Sequence, residues 1–156
     1  MRRRIPALAL TVGVLALVGG TVTSTTAEAQ ARRCGPPSST QGVGTLGHTW
    51  TLKSMYDDDG PVPGALVVGE EFEIATQGAG QHWAVTFSDN GTVFFSNPDD
   101  VSTATGLREV HMTPAQHNTI EHMNAHAVRK ETGEVIDGTV ILPPAPARCG
   151  NGGGGN

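Results

Sequence analysis

Basic residues are scarce in this chain, which has ten lysines and arginines against fifteen aspartates and glutamates. If residues 1–31 are removed as a signal peptide, as argued below, seven of the ten basic and fourteen of the fifteen acidic residues remain, a net charge of about −7. Nucleic-acid binding needs a basic face that neutralises phosphates, and anionic membrane surfaces attract basic segments. The negative charge therefore argues against a nucleic-acid partner and against adhesion to an anionic membrane surface.

The sequence also lacks the short motifs of common catalytic sites. No serine stands in a Gly-x-Ser-x-Gly turn, and neither a phosphate-binding loop nor a dinucleotide fingerprint occurs. His117 and Glu121 have three residues between them, one more than the inverted zinc-protease motif allows. The sequence therefore predicts a protein that is not an enzyme and that needs no cofactor.

Long apolar runs are absent apart from IPALALTVGVLALVGGTV at positions 5–22. Three arginines precede this run and the small-residue segment AEAQA follows it, which is the order of a secretory signal peptide. A retained membrane anchor is the alternative, because the run is almost long enough to span a bilayer. The two Ala-x-Ala cleavage sites favour removal of residues 1–31. We therefore expect a secreted protein that does not insert into a membrane after cleavage.

Cysteine is limited to two residues, Cys34 and Cys149, which flank the rest of the mature chain. In an oxidising compartment, one disulfide between them is the simplest interpretation, and it would stabilise the fold by about 4 kcal/mol. An intermolecular bridge and two free thiols remain as alternatives. A zinc site has no support from so wide a spacing.

Proline, glycine and serine are concentrated in GPPSSTQGVG and PPAPARCGNGGGGN, near the two ends of the chain. Such segments bury too little apolar surface to offset the entropy of ordering them. The composition therefore predicts disordered tails over 32–45 and 144–156, on either side of one domain over 46–143.

Apolar and polar residues alternate along several short segments of that domain, as in strands that bury one face. The clearest turn signal is Asn90-Gly91, because both residues tolerate the positive φ of a two-residue type I′ hairpin. Short strands separated by frequent turn signals predict an all-β, antiparallel sandwich or barrel. The predicted inward rows are Trp50/Leu52, Phe72/Ile74, Trp83/Val85/Phe87 and Ile136/Val140/Leu142.

The order of these segments resembles that of immunoglobulin-like domains. Phe72 and Ile74 would lie on strand B, and Trp83 would be the strand-C tryptophan of such domains. Ile74 and Met123 stand where the usual cysteines of strands B and F would be, and Glu121 replaces the usual tyrosine of strand F. The resemblance implies a bacterial immunoglobulin-like β-sandwich of about seven strands that lacks the disulfide between strands B and F.

Two narrower resemblances concern the same strands. The segments GTLGHTWTL and LVVGEEFEIAT are similar to strand starts of small secreted immunoglobulin-like antigens of mycobacteria. VVGEEFEI followed by HW resembles chagasin-like inhibitors of cysteine proteases, whose inhibitory turns read Asn-Pro-Thr-Thr-Gly and Arg-Pro-Trp/Phe. The corresponding turns here read QGAGQ and KETGEV. The residues that would fill a protease cleft are therefore missing.

The segment IEHMNAHAV contains two histidines and permits two structures with different chemistry. As part of a helix over 113–133, with Thr113-Pro114 at its start, it would place His122 and His126 about 6 Å apart along one face. Two imidazoles at that spacing could bind one copper or zinc ion. As a strand, the segment would separate the same histidines by about 13 Å, too far to share an ion.

We favour the strand, because the neighbouring segments are strands and asparagine, threonine and histidine are indifferent helix formers. Met123, Ala125 and Ala127 would then form an inward row, while the histidines would face outward. His111 is the further candidate metal ligand, although an immunoglobulin-like order would place it in the sheet opposite His122.

These observations favour a secreted, non-catalytic binding protein or cell-envelope interaction protein, whose partner is a protein or a cell-surface ligand. A first alternative is an extracellular protein that binds copper or zinc through surface histidines, with His111, His122 and His126 as candidates. A second alternative is a secreted protease inhibitor.

Overall fold

The structure, a computed structural model, describes residues 34–150. The predicted signal peptide over 1–31 lies outside the described residues. All elements in the described part are strands: β1 (Ser38–Val43), β2 (Thr49–Asp57), β3 (Val67–Ala75), β4 (His82–Asp89), β5 (Thr92–Val101), β6 (Leu107–Pro114), β7 (Glu121–Arg129) and β8 (Val135–Leu142). Within residues 34–150, no helix is long and apolar enough to cross a membrane.

The eight strands form two four-stranded sheets, in the orders β1-β2-β3-β6 and β5-β4-β7-β8. Every neighbouring pair is antiparallel. The inward rows of both sheets enter one apolar cluster, in which Phe72 of β3 meets Phe87 of β4 edge to face at 6.2 Å between ring centroids. The prediction of an all-β, antiparallel fold is confirmed, with two sheets that share one core.

The segment IEHMNAHAV belongs to β7, so the strand prediction is confirmed and the helical alternative over 113–133 is wrong. Met123, Ala125 and Ala127 are at most 1% exposed, whereas His122 and His126 face solvent. A period-two apolar row can be buried along a sheet face, and β7 lies between β4 and β8 where its backbone is paired on both sides. Tertiary pairing therefore outweighs the helix-start signal at Thr113-Pro114.

The predicted hairpin at Asn90-Gly91 is also confirmed. The two residues join β4 to β5 and have φ values of 48° and 82°. A positive φ at both central positions is the requirement of a type I′ turn, and asparagine followed by glycine meets it with little strain.

The disordered tail predicted over 32–45 is wrong where the chain forms a strand. Ser38–Val43 forms β1, which pairs with β2 along its whole length and raises the number of strands from about seven to eight. At the other end, Ala145 and Cys149 are buried. Composition could not show that the polar residues of β1 have ladder partners, or that the tail after Leu142 packs on the core.

Gly42 of β1 has a packing role that explains its place in a strand. A Cβ at Gly42 would lie 2.7 Å from Trp50 Cζ2, and one at Gly138 would lie 2.7 Å from Trp50 Cζ3. The indole of Trp50 therefore fits between two glycines, one on β1 and one on β8. This contact fills the seam between the two sheets.

The predicted disulfide is confirmed as an intramolecular bond. Cys34 and Cys149 are bonded, with their Cα atoms 4.6 Å apart, and both are buried. The bond joins the start of the described chain to the segment after β8, so both ends of the domain lie at the same pole of the sheets.

Candidate ligand groove and acid cluster

A groove of about 830 Å³ crosses one end of the β1-β2-β3-β6 sheet. It lies where β1 and β3 end and where β2 and β6 begin, at the pole opposite the disulfide. Trp50 and Ile74 contribute to its floor. Its polar lining comprises Gln41, Glu73, Arg108 and the hydroxyls of Thr49, Thr51, Thr103 and Thr105.

The charged groups beside this groove are already paired with each other. Arg108 donates to Glu71 from Nε at 2.8 Å and from Nη2 at 2.6 Å, and its Nε lies 3.2 Å from Glu73 Oε1. Lys53 also forms an ion pair with Glu71. Hydrogen bonds from Lys53 and then Arg108 lower the pKa of Glu71, and Glu71 raises the pKa of Arg108. The groove is therefore polar without a strong excess of charge.

Near the opposite pole, four polar side chains lie in or beside the core, and we call them the acid cluster: Ser54, Glu70, Asp89 and Glu121. Ser54 and Glu70 are cross-strand partners on the inward face of one sheet, and each is at most 1% exposed. Asp89 ends β4 and Glu121 begins β7 in the other sheet, and Glu121 is 2% exposed. Within residues 34–150, no lysine or arginine forms an ion pair with the three acids.

Two acids of this cluster, Glu70 and Asp89, have raised pKa values. Burial, and then the charge of Asp89, raise the pKa of Glu70 to about 8. Burial, and then the neighbouring Glu121, raise the pKa of Asp89 to about 6. Burial also raises the pKa of Tyr56 to about 12, with contributions from Glu121 and Asp89. A buried carboxylate without a cation is expected to shift in this direction.

Hydrogen bonds satisfy only part of the acid cluster. Asn90 Nδ2 donates to Glu121 Oε2 at 2.5 Å. Among the described residues, however, no group makes a hydrogen bond to Ser54 Oγ, to either carboxylate oxygen of Glu70 or to Asp89 Oδ1, although all four atoms are buried. Buried polar atoms usually have a protein or solvent partner, so these four indicate a place for a further ligand.

The sequence predictions missed the acid cluster, although the strand parity contained the signal. Glu70 shares the inward parity of Phe72 and Ile74, and Asp89 shares that of Phe87. Glu121 likewise extends the row that begins with Met123. Each acid was the next member of a correctly predicted apolar row. A strict extension of those rows would have placed all three carboxylates in the interior.

The candidate histidines are not brought together as ligands of one ion. His122 and His126 lie four residues apart on β7, and His126 Nδ1 is 2.6 Å from Asp137 Oδ1. His111 lies in the other sheet, as predicted, but it points inward and is stacked on Phe95 with 3.5 Å between ring centroids. Its Nε2 lies 2.8 Å from Glu109 Oε2. The three histidines therefore lie in three separate places, and His111 and His126 each pair with a different carboxylate.

A second buried carboxylate site, which the sequence did not indicate, lies beside the turn between β1 and β2. Glu134 is fully buried, and its Oε1 accepts the backbone N–H groups of Leu46 and His48 at 3.2 and 3.0 Å. The imidazole of His48 packs edge to face on Trp83. Every oxygen of Glu134 has a partner, so this arrangement is a structural clamp on the turn.

Asp57, Asp58 and Asp59 form a third acidic group, at the end of β2 and in the loop that follows it. One carboxylate oxygen from each lies within 4.8 Å of the others. Asp57 Oδ1 accepts the backbone N–H of Asp59 at 2.7 Å, as in a turn that stabilises itself. This hydrogen bond explains why Asp57 and Asp59 lie close together.

No family model, curated protein or solved structure matches the chain.

Proposed function

We propose that the chain is a secreted immunoglobulin-like β-sandwich that acts as a non-catalytic binding module at the cell envelope. The observation that carries this proposal is the groove across β1, β2, β3 and β6. Its size lies within the range of about 300–1,000 Å³ that is typical of ligand sites.

The strand order supports the immunoglobulin-like part of the proposal. If β2 to β8 correspond to strands A, B, C, C′, E, F and G, one sheet is A-B-E and the other is C′-C-F-G. Immunoglobulin-like domains divide their strands between two sheets in a related way, with C, F and G together. Trp83, fully buried, then lies on strand C. β1 is an addition beside strand A.

The lining of the groove indicates the chemistry of its ligand. Threonine hydroxyls both donate and accept hydrogen bonds, and the amide of Gln41 does the same. Arg108 is already held by Glu71 and Glu73, so it offers little free positive charge. A groove of this kind suits a polar polymer of low charge at the cell envelope better than a phosphate-rich ligand.

Co-sedimentation with isolated bacterial cell envelopes tests this proposal. The substitution Thr51→Arg puts a bulky charge on an exposed residue of the groove and should reduce the bound fraction about tenfold. The matched control is Ser96→Arg, which makes the same change in charge on an exposed residue of β5 in the other sheet. Equal binding by both variants, or no binding by the unchanged protein, would count against the groove.

Export is tested separately by sequencing the N-terminus of protein recovered from the culture medium. A start at residue 30 or 32 is expected from the two Ala-x-Ala sites. A chain that retains residues 1–31 and stays with the membrane fraction would contradict the signal-peptide interpretation.

A further inference from the structure

The acid cluster has no role in the binding function proposed above. It brings three carboxylates and a serine hydroxyl to one buried end of the core, and all of its unpartnered atoms are oxygens. Burying carboxylates without compensation is unfavourable, so such groups either keep their protons or bind a cation. The second outcome would satisfy the charge and the unpartnered oxygens together.

We propose that the acid cluster is a binding site for a divalent hard cation, with Ca²⁺ as the ion that fits it best. Glu70, Asp89 and Glu121 would supply carboxylate oxygens, and Ser54 would supply its hydroxyl oxygen. The site differs from the copper or zinc site that histidines would form, because its donors are oxygens and not imidazole nitrogens.

The buried hydroxyl of Ser54 distinguishes this site from an ordinary group of acidic side chains. Its hydroxyl is fully buried, it is the cross-strand neighbour of Glu70, and none of the described residues offers it a hydrogen bond. A serine in a core position otherwise filled by apolar residues loses solvation without gaining a partner. An oxygen ligand set that includes Ser54 gives this residue a function.

Glu70 is the ligand that would have to move. Within residues 34–150, the groups of three or more possible metal ligands whose ligand atoms already lie within 4.8 Å of one another comprise only Asp57, Asp58 and Asp59. The carboxylate oxygens of Glu70, Asp89 and Glu121 therefore do not all lie within 4.8 Å of one another. Neither oxygen of Glu70 is hydrogen bonded to a described residue, so Glu70 can change rotamer without breaking a hydrogen bond.

The choice of Ca²⁺ follows from the geometry that each ion requires. Mg²⁺ needs nearly ideal octahedral coordination with short bonds and keeps several waters, which a buried and irregular set of ligands provides poorly. Ca²⁺ accepts six to eight oxygens in flexible arrangements. The three carboxylates also favour a divalent over a monovalent ion. Extracellular calcium modules have dissociation constants of about 10⁻⁴–10⁻³ M, and we expect this range.

Isothermal titration calorimetry of EDTA-treated protein with CaCl₂ tests the proposal, with MgCl₂ and KCl as separate titrations. We expect one Ca²⁺ per chain, and at least tenfold weaker binding of Mg²⁺ and K⁺. The substitution Glu70→Gln removes the charge with little change of shape and should weaken Ca²⁺ binding at least tenfold. Ser54→Ala should weaken it several-fold.

Two variants with the same loss of charge serve as controls. Asp137→Asn changes an exposed carboxylate of β8, and Asp57→Asn changes the acidic loop. Both should bind Ca²⁺ as the unchanged protein does. If Asp57→Asn abolishes binding while Glu70→Gln does not, the ion occupies the loop and the proposal is wrong. It is also wrong if the unchanged protein binds no Ca²⁺ at several millimolar.

Thermal unfolding distinguishes a loss of Ca²⁺ binding from a folding defect in the variant. In EDTA near pH 7, where Glu70 keeps its proton, Glu70→Gln should unfold at about the same temperature as the unchanged protein. Above about pH 8 it should unfold at a higher temperature, because the unchanged protein then contains a buried unpaired carboxylate. Adding Ca²⁺ should raise the unfolding temperature of the unchanged protein by several degrees and leave that of Glu70→Gln unchanged. An equal rise in both proteins would overturn the assignment.

Discussion

The imidazole of His48 contacts a carboxylate that no solvent reaches: its Nδ1 lies 2.5 Å from Oε2 of the fully buried Glu134. Burial opposes ionisation of Glu134, but the backbone N–H and imidazole of His48, together with the N–H of Leu46, outweigh that effect and lower the pKa of this carboxyl. The contact links the turn before β2 to the turn before β8, which are separated by most of the chain.

Replacing Glu134 by glutamine should destabilise the fold by about 1.5–3 kcal/mol, because charge-assisted hydrogen bonds to the turn are lost. Urea unfolding followed by tryptophan fluorescence measures this difference at pH 7. Because the pKa of Glu134 is lower in the folded than in the unfolded protein, its carboxylate stabilises the fold fully at pH values above the unfolded pKa. This stabilisation is lost as the pH falls through the folded pKa. The difference from the unchanged protein should therefore shrink at acidic pH. Glu131→Gln, an exposed neighbour, should change stability by less than half as much.

The acid cluster should make the metal-free protein less stable as pH rises. Glu70 has a pKa of about 8 in the folded protein and 4.5 as its ordinary value, so the folded state binds its proton more tightly. That contribution is fully present below the unfolded pKa and is lost as pH increases through the folded pKa. In EDTA, the free energy of unfolding should fall by a few kcal/mol between about pH 5 and pH 9, at about 1.4 kcal/mol per pKa unit. Denaturant titrations at several pH values measure the slope.

Glu70→Gln is the variant that separates this effect from general charge repulsion. It should remove most of the decrease in stability with pH, since glutamine does not titrate. Asp137→Asn should leave the slope unchanged. If the free energy of unfolding of Glu70→Gln still decreases with increasing pH, other titratable groups cause that decrease.

Because Trp50 packs between two glycines, the effect of a glycine-to-alanine substitution on stability should depend on whether the new methyl group meets the indole. Gly138→Ala should destabilise the fold by about 1–3 kcal/mol, because the new methyl group would lie well inside contact distance of the indole. Gly78→Ala is the matched control, since a Cβ there meets nothing within 4 Å. Thermal unfolding of both variants checks the prediction, which fails if the two alanines have equal effects.

Removal of the disulfide should destabilise the protein by about 4 kcal/mol, because the bond closes a loop of more than a hundred residues. The double variant Cys34→Ser with Cys149→Ser isolates this effect from the reactivity of a single free thiol. The comparison is made by urea unfolding under oxidising conditions. Adding a reductant should bring the unchanged protein to the stability of the double variant and leave the variant itself unaffected.

The sequence predicted those parts of the fold that local patterns determine. The hairpin at Asn90-Gly91 follows from backbone conformation alone, and the strand through Met123, Ala125 and Ala127 follows from its alternation. β1 was not predictable from composition, because five of its six residues are polar or glycine and become a strand only through pairing with β2. The groove was missed for a related reason, because it depends on which strands become neighbours. For the acid cluster, strand parity could have placed each carboxylate in the interior, but which acids lie together depends on the register between distant segments.

The disulfide also determines how this domain can be attached to anything else. Cys34 and Cys149 hold both ends of the described domain at one pole, whereas the groove opens where β1 ends, roughly 20 Å away along that six-residue strand. A tether, tag or fused partner joined directly before Cys34 or directly after Cys149 would therefore leave from the side that faces away from the groove. Immobilisation through either of these two points presents the same surface to solution.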